Sequence, residues 1–310
     1  MLSDLFTASV LIGILSSGIR LATPYLYAAI GESFGQRSGM LNLGVDGIML
    51  MGAFSGFYVV LLTNNYWFGL LAALIVGGIM GLATAFINVT LQAQQGISGI
   101  GIFLFGLGMS DLLFQKLVHN VETVTGFPDA PIPLLSKIPV IGEIFFNQNV
   151  LVYGAYLLVP LAWFILNKTT LGLKINSVGE NPTAADSLGV SVTGVRYLTV
   201  TLGGILAGVA GASLSIALLG VFQQNLTNGM GFIAIALVYF GGWRPLGILI
   251  GSLLFSMVNS LQIWMQVIGI PIPSDIAVMM PYILTILVLV LSSGRFRQPS
   301  ALTKPFERAG

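Results

Sequence analysis

Charged residues are scarce in this chain. Only 7% of its 310 residues are Asp, Glu, Lys or Arg, whereas an ordinary soluble domain carries roughly a quarter. Hydrophobic residues make up 55%, and apolar runs recur from end to end with only short polar breaks between them. So few charges do not cover a water-facing surface. The composition therefore excludes a soluble globular protein and favours one membrane-embedded domain.

Cysteine and the common catalytic motifs are also absent. The chain has no Cys, which excludes disulfides, Cys-ligated zinc, iron–sulfur clusters and thiol nucleophiles. His119 is the single histidine, and no HExxH, GxSxG or GxxxxGK(S/T) motif occurs. We therefore predict no catalytic residue, no metal site and no cofactor bound by this chain. The net charge is +1 and the basic residues are scattered, so nucleic acid is not an expected partner.

Long apolar runs take the place of these motifs. A helix needs roughly 20 apolar residues to cross about 30 Å of hydrocarbon. Runs near that length predict an all-α, polytopic membrane helical bundle of about nine spans, with a range of eight to ten. The predicted spans are 5–30, 40–62, 68–92, 97–118, 150–166, 196–219, 229–242, 246–266 and 276–292. The seventh is too short to cross alone, so we expect it to be tilted, broken or joined to a neighbouring helical piece.

Lysine and arginine give the predicted orientation, because short cytoplasmic loops retain positive charge. With nine spans and an outside N-terminus, only Lys116 and Lys137 fall outside. We therefore place residues 1–294 in the plasma (cytoplasmic) membrane and residues 295–310 in a cytoplasmic tail. The connection 119–149 becomes an external loop, and 167–195 becomes the longest cytoplasmic loop. The residues predicted inside are Arg37, Lys168, Lys174, Arg196, Arg244, Arg295, Arg297, Lys304 and Arg308.

The cytoplasmic loop contains the signals of a short helix. Asn181 is followed by Pro182, and an asparagine cap before a first-turn proline favours a helix start. Residues 183–188 then give one or two turns, and Gly189 suits a left-handed helix end. Isolated helices this short are marginal in water, so the pattern indicates docking against another protein. A simple turn is the alternative.

Three segments carry a family resemblance. Ala184-Ala185 with Gly189, preceded by Gly179 and Asn181-Pro182, resembles the coupling-loop signature of ATP-binding-cassette (ABC) importer permeases. Residues 37–47, RSGMLNLGVDG, are similar to a segment of the permeases for nucleosides, simple sugars and branched-chain amino acids, with Asp46 in the acidic position. The glycine-rich run 229–236 resembles a late span of the same family.

This resemblance implies a partnership. It implies an ABC ATPase subunit that binds ATP and Mg, a second permease subunit that is a different chain, and an extracytoplasmic solute-binding protein or lipoprotein. The coupling residues would be Gly179, Asn181, Pro182, Ala184, Ala185 and Gly189. The length of the chain and Thr23-Pro24 in its first span resemble the shorter permease of nucleoside systems. A sugar or branched-chain amino acid permease is the alternative, and an ATP-independent channel or membrane scaffold is the alternative from another class.

Polar residues inside the spans are candidates for the solute path, because intramembrane charges cost about 2.5 kcal/mol or more and are usually retained for function. Structural pairing between helices is the competing interpretation, and a glycine-rich turn is the expected partner of Asp46. Helical spacing places Asp111 with Gln115, and Asn88 with Gln92, on shared faces. Arg20 is expected to pair with one of the two aspartates. The full set of candidates is Asn42, Asp46, Asn88, Gln92, Asp111, Gln115, Asn259 and Gln262.

Overall fold

The computed structural model describes residues 7–269 and 297–307, together with positions 279, 280, 282, 283, 286, 287 and 290. Within residues 7–269 the chain forms eleven α-helices. They are α1 (Ala8–Arg37), α2 (Val45–Thr63), α3 (Tyr66–Ala85), α4 (Gln95–Leu117), α5 (Ile141–Phe145), α6 (Val150–Lys168), α7 (Thr170–Glu180), α8 (Pro182–Ser187), α9 (Val192–Ala212), α10 (Met230–Phe240) and α11 (Pro245–Val267). Two π-helical segments, Phe86–Thr90 and Ser213–Leu219, continue α3 and α9.

Seven of these helices are long and apolar enough to cross a membrane, which confirms the polytopic helical bundle. They are α1, α2, α3, α4, α6, α9 and α11, with α3 and α9 counted together with their π-helical ends. Helix α10 has 11 residues, so it is too short to span alone, as predicted. Most of the predicted span 276–292 lies outside the described residues.

Two helix boundaries differ from the sequence prediction in ways that matter for the site. The first apolar run ends near Ile30, but α1 continues for two more turns to Arg37. The second span begins at Val45 and not at residue 40, because residues 38–44 form a tight turn. Its backbone folds back on α1 through a hydrogen bond from the Met40 amide to the Gly35 carbonyl, 2.9 Å long.

Small residues bring α2, α3 and α9 into backbone contact. A Cβ added at Gly77 of α3 would lie 2.5 Å from the carbonyl oxygen of Gly204 in α9, and one at Gly81 would lie 3.0 Å from the Cα of Gly204. A Cβ at Gly52 of α2 would overlap the backbone of Gly208. These glycines permit helix separations that any side chain would prevent. These small residues therefore pack helices of one bundle against each other.

The connection 119–149 folds over the end of the bundle at which α6 begins. Phe127 packs between Tyr66 and Trp67, with ring centroids 4.5 and 5.2 Å away. Gln148 and Asn149 are buried, and the Asn149 side chain caps α6 by accepting a 3.0 Å hydrogen bond from the amide of Val152. The opposite end of α6 leads to α7 and α8. The loop and α8 therefore lie at opposite ends of the bundle.

Candidate functional site

Helix α8 is a short capped helix at one end of the bundle. The Asn181 side chain accepts a 3.1 Å hydrogen bond from the amide of Ala184, and Pro182 occupies the first turn. Gly189 has φ of +83°, the left-handed conformation in which a helix commonly ends. The predicted cap, proline position and glycine end are therefore confirmed as local structure.

The surface of α8 has one apolar residue that sequence reasoning missed. Leu188 follows the last helical turn and is 84% exposed, while Ala185 faces the bundle and is 3% exposed. The amide of Val190 donates to the carbonyl of Ala185 at 3.0 Å, which closes the end of the helix. An exposed apolar residue on a short helix can enter a hydrophobic groove of a partner. The sequence feature that could have indicated this exposure is the position of Leu188 directly before Gly189, which ends the helix.

The C-terminal segment holds α7 and α8 against the bundle. The amide of Ala301 donates to the carbonyl of Gly179 at 2.8 Å, and the amide of Thr303 donates to the carbonyl of Gly39 at 3.0 Å. Ser300 donates to the Glu180 carboxylate at 2.8 Å. This segment thus joins two of the three resembling segments, 37–47 and 179–190. Its sequence, polar and next to the chain end, gave no sign of this contact.

Gly179 itself is part of the same junction. A Cβ at this position would overlap the carbonyl oxygen of Arg37, so α7 crosses the end of α1 at backbone contact. Of the predicted coupling residues, Gly179 therefore attaches the loop to the bundle. Asn181, Pro182, Ala184 and Gly189 form or flank the exposed helix.

Asp46 connects the second and third resembling segments. It is 1% exposed, and its carboxylate accepts hydrogen bonds from the Gly231 amide at 2.7 Å and from the Thr227 hydroxyl at 3.0 Å. Glycine at position 231 allows this close approach, because a Cβ there would overlap the backbone of Asp46. The carboxylate therefore binds a glycine-rich turn, as the structural alternative predicted, and it fixes the start of α10 to the start of α2.

Sequence reasoning missed a second buried carboxylate, Glu32. It is 3% exposed and accepts hydrogen bonds from the Gln36 side chain at 3.1 Å and from the Asn42 amide at 3.0 Å. Gln36 in turn accepts from the indole of Trp243 at 2.7 Å. Glu32 follows the apolar run and was therefore assigned to a connecting segment. The signal that would have found it is the helical continuation of α1 beyond Ile30.

Asn42 lies in this buried network and not on an open path. Its side-chain oxygen accepts a 2.9 Å hydrogen bond from the amide of Gly44, and the residue is 5% exposed.

The predicted pairing of Arg20 with Asp46 or Asp111 is wrong. Arg20 instead donates to Asp129 at 3.2 Å and to Gln148 at 2.7 Å, because the folded loop 119–149 brings those acceptors to α1.

The two pairs predicted to share a helical face, Asn88 with Gln92 and Asp111 with Gln115, have different outcomes. Asn88 and Gln92 do not share a helical face, because the helix unwinds through Phe86–Thr90 and Gln92 has φ of +52°. Asn88 instead accepts a hydrogen bond from Ser98, while Gln92 reaches the carbonyl of Phe306 at 3.2 Å. A π-helical turn has i→i+5 hydrogen bonds, so it shifts the helical face of the residues that follow it.

Asp111 and Gln115 both lie in α4, four residues apart, as predicted. Asp111 is partly buried, and its Oδ1 atom is buried without a hydrogen-bond partner. Asn259 and Gln262 lie in α11, which packs on α1, whereas α4 packs on α2. Within the described chain these two pairs therefore belong to helices with different packing partners.

Comparison with known proteins agrees with the sequence resemblance. The family model described as "Branched-chain amino acid transport system / permease component" matches residues 14–289. "Putative glucose ABC transporter permease protein TsgC13" of Haloferax volcanii is 37% identical over 96% of this chain and 98% of its own length. No solved structure matches this chain.

Two further relatives have names that refer to nucleosides. Nucleoside ABC transporter permease protein NupC of Lactococcus lactis is 38% identical over 90% of this chain and 92% of its own length. Guanosine ABC transporter permease protein NupQ of Bacillus subtilis is 36% identical over 92% of this chain and 93% of its own length. Together with the membrane-spanning bundle, these matches identify the chain as a member of the family of branched-chain amino acid transport system permease components, within the ABC transporters.

Proposed function

We propose that this chain is the non-catalytic permease subunit of an ABC importer for nucleosides. The observation that carries the proposal is α8, a capped helix that stands at one end of a membrane bundle with an exposed apolar residue, Leu188. A separate ATPase subunit, which binds ATP and Mg, receives this helix. Closure of the ATPase then moves α8, and α7 passes the movement to α1 through the Gly179 contact.

The docking surface for the ATPase extends beyond α8. A cavity of about 290 Å³ on one side of the helix includes Asn181 and Lys304 in its wall. A cavity of about 280 Å³ on the other side includes Gly189, and the side chain of Phe306 lines both. The C-terminal segment therefore forms part of the surface offered to the partner. This location agrees with the proposed cytoplasmic position of the loop 167–195 and of the tail 295–310.

The distribution of cations supports this orientation. Arg37 and Lys168 end α1 and α6, and Arg244 precedes α11, so all three lie at the same end as α8. Lys116 and Lys137 lie toward the end that carries the loop 119–149. Positive residues accumulate on the cytoplasmic side of membrane proteins. We infer an outside N-terminus, an inside C-terminus, and an external loop available to a solute-binding protein or lipoprotein.

The proposed mechanism is alternating access between two permease subunits, the second being a different chain. ATP binding favours one open side and release of its products favours the other, so solute must bind the two states unequally. In the described chain two of the predicted polar pairs lie on different helices, Asp111 with Gln115 on α4 and Asn259 with Gln262 on α11. A path shared with a second subunit suits this division, because neither group needs to meet the other inside one chain.

Nucleosides are the proposed solutes because NupC and NupQ match nearly the full chain. A simple sugar such as ribose is the second candidate, and the match to TsgC13 over 96% of the chain favours it. Nucleosides contain a pentose, so one hydroxyl-binding path is compatible with both. Branched-chain amino acids come third, since their charged head groups call for more ionisable partners than the spans provide.

The deciding experiment is uptake of labelled guanosine, adenosine, uridine, ribose and leucine by cells with and without this gene, each measured with ATP present and depleted. We expect loss of the gene to abolish energy-dependent nucleoside uptake and to leave leucine uptake unchanged. Loss of ribose or leucine uptake alone would change the solute and retain the ABC permease. Uptake that persists without ATP, or that does not depend on the gene, would overturn the proposal and favour the channel or scaffold.

A further inference from the structure

A cavity of about 770 Å³ lies at the α8 end of the bundle, where the ends of α1 and α6 meet the turn between α10 and α11. Its wall contains two guanidinium groups, Arg37 and Arg244. The remaining wall is mainly apolar, formed by Trp163, Phe240, Gly241, Pro245, Leu246, Gly247 and Ile250, with one amide from Asn167. The cavity is separate from the two clefts beside α8, and it shares Arg37 with the contact between α7 and α1.

Neither arginine of this cavity makes an ion pair with a described residue. No Asp or Glu is part of its described wall, and the ion pair found in the described chain joins Arg20 and Asp129. The Nη1 atom of Arg37 is buried and makes no hydrogen bond. A buried cationic donor without a partner is costly. Arg244 is exposed to solvent at the same wall. One buried guanidinium nitrogen without a partner and a second guanidinium beside it favour an anionic ligand with several acceptor oxygens.

A third cation lies close to the same opening. The ammonium group of Lys168 stands 5.8 Å from the centre of the Trp163 ring, and that ring is part of the cavity wall. Tryptophan is typical of the membrane–water interface, where its ring sits at head-group depth. The cations therefore lie at the level of lipid head groups and not in the middle of the bundle.

The apolar wall continues out of the cavity along the membrane-facing surface. Leu246 and Ile250, one turn apart on α11, are 56% and 57% exposed, and Trp163 of α6 is 41% exposed. In a spanning helix such residues face hydrocarbon or another apolar surface. Cations at one end of a cavity and an apolar surface leading away from it match the two parts of a phospholipid, the phosphate and the acyl chain.

We propose that this cavity binds the phosphate head group of an anionic phospholipid. Arg37 and Arg244 hold the phosphodiester oxygens, and an acyl chain lies along Leu246 and Ile250. Because Arg37 ends α1 and Arg244 precedes α11, one phosphate bridges two helices that meet at this end of the bundle. The inference depends on the membrane-spanning bundle and is independent of the transported solute.

The test is native mass spectrometry of the full chain, purified from membranes in mild detergent with its copurifying subunits. The protein is titrated with phosphatidylglycerol and, separately, with phosphatidylcholine. Two arginines at a head-group site predict a preference for the anionic lipid on the order of tenfold. The double variant Arg37→Gln/Arg244→Gln should lose this preference. Lys174→Gln removes an exposed cation of α7 at the same end of the bundle and should retain it.

Two further measurements show whether the bound phosphate belongs to a lipid and whether a variant has lost binding only because it misfolds. The single variant Arg244→Gln changes an exposed residue, so it should remain monodisperse and still bind phosphatidylglycerol several-fold more weakly. Inorganic phosphate at millimolar concentration should not displace the lipid. Displacement of the lipid by phosphate would assign the site to the free anion and overturn the lipid proposal. Equal binding of both lipids, or an unchanged preference in the double variant, would also overturn it.

Discussion

Replacement of Gly189 separates the conformation of the α8 end from the contacts of its side chain. Gly189 has φ of +83°, and an added Cβ would meet nothing within 4 Å. The cost of a side chain is therefore conformational and not steric. For an ordinary L-residue the left-handed conformation costs about 1–2 kcal/mol, and a β-branched residue is less suited to it than asparagine, which tolerates it.

This cost is large for a six-residue helix and small for the bundle. Short helices are marginal without tertiary support, and 1–2 kcal/mol changes a conformational population by a factor of about 5–30. We therefore expect Gly189→Val to reduce energy-dependent uptake at least about fivefold by this factor. Gly189→Asn should retain most of it. Both variants should reach the membrane in parental amounts, because Gly189 lies outside the buried core.

The assay combines uptake of the transported solute with the ATPase rate of the purified complex. Gly189→Val should lower uptake and also uncouple the ATPase rate from the presence of solute. Parental uptake by this variant would refute the coupling role of α8. Equal loss in the valine and asparagine variants would refute the conformational reasoning, since it would show that the partner excludes any side chain at this position.

Two further replacements test the buried contacts. Asp46→Ala removes the acceptor of the Gly231 amide, and a buried unsatisfied donor costs about 1–3 kcal/mol, so thermal unfolding in detergent should shift downward; an unchanged midpoint would show that the contact contributes little. Gly208→Ala places a Cβ against the backbone of Ala73, whereas Gly108→Ala, the matched control, meets nothing within 4 Å. We expect Gly208→Ala to lose about 1–3 kcal/mol and Gly108→Ala to be neutral or slightly stabilising. Equal unfolding midpoints for the two variants would contradict the packing interpretation.

Sequence reasoning predicted the helices because each apolar run must satisfy its own backbone inside a membrane. It also predicted α8, since asparagine, proline and glycine act locally on a helix end. It failed where the signal was not local. Glu32 was missed because α1 outlasts its apolar run, and the pairing of Arg20 was wrong because Asp129 approaches it through a folded loop.

In the candidate site, too, local features were predictable and contacts between distant residues were not. The residues that shape α8 were predictable from adjacent positions, whereas its attachment to the C-terminal segment depends on hydrogen bonds between distant backbones, such as Ala301 to Gly179. A hydrogen bond between two backbone groups does not depend on which side chains are present, so the sequence gives no indication of it. The shared face of Asn88 and Gln92 failed for a different reason, because the spacing argument assumes α-helical geometry and the chain becomes π-helical at Phe86.

The glycine contacts between α3 and α9 also have a consequence for biogenesis. Gly77 and Gly81 face Gly204 at backbone distance, yet the ribosome completes α3 long before it reaches α9. Until α9 is inserted, the glycine groove of α3 has no intramolecular partner, so an early intermediate exposes a surface suited to any helix with small residues. Insertion of α9 covers this groove and closes it to other helices. Replacements at these glycines should reduce the yield of folded protein before they affect transport.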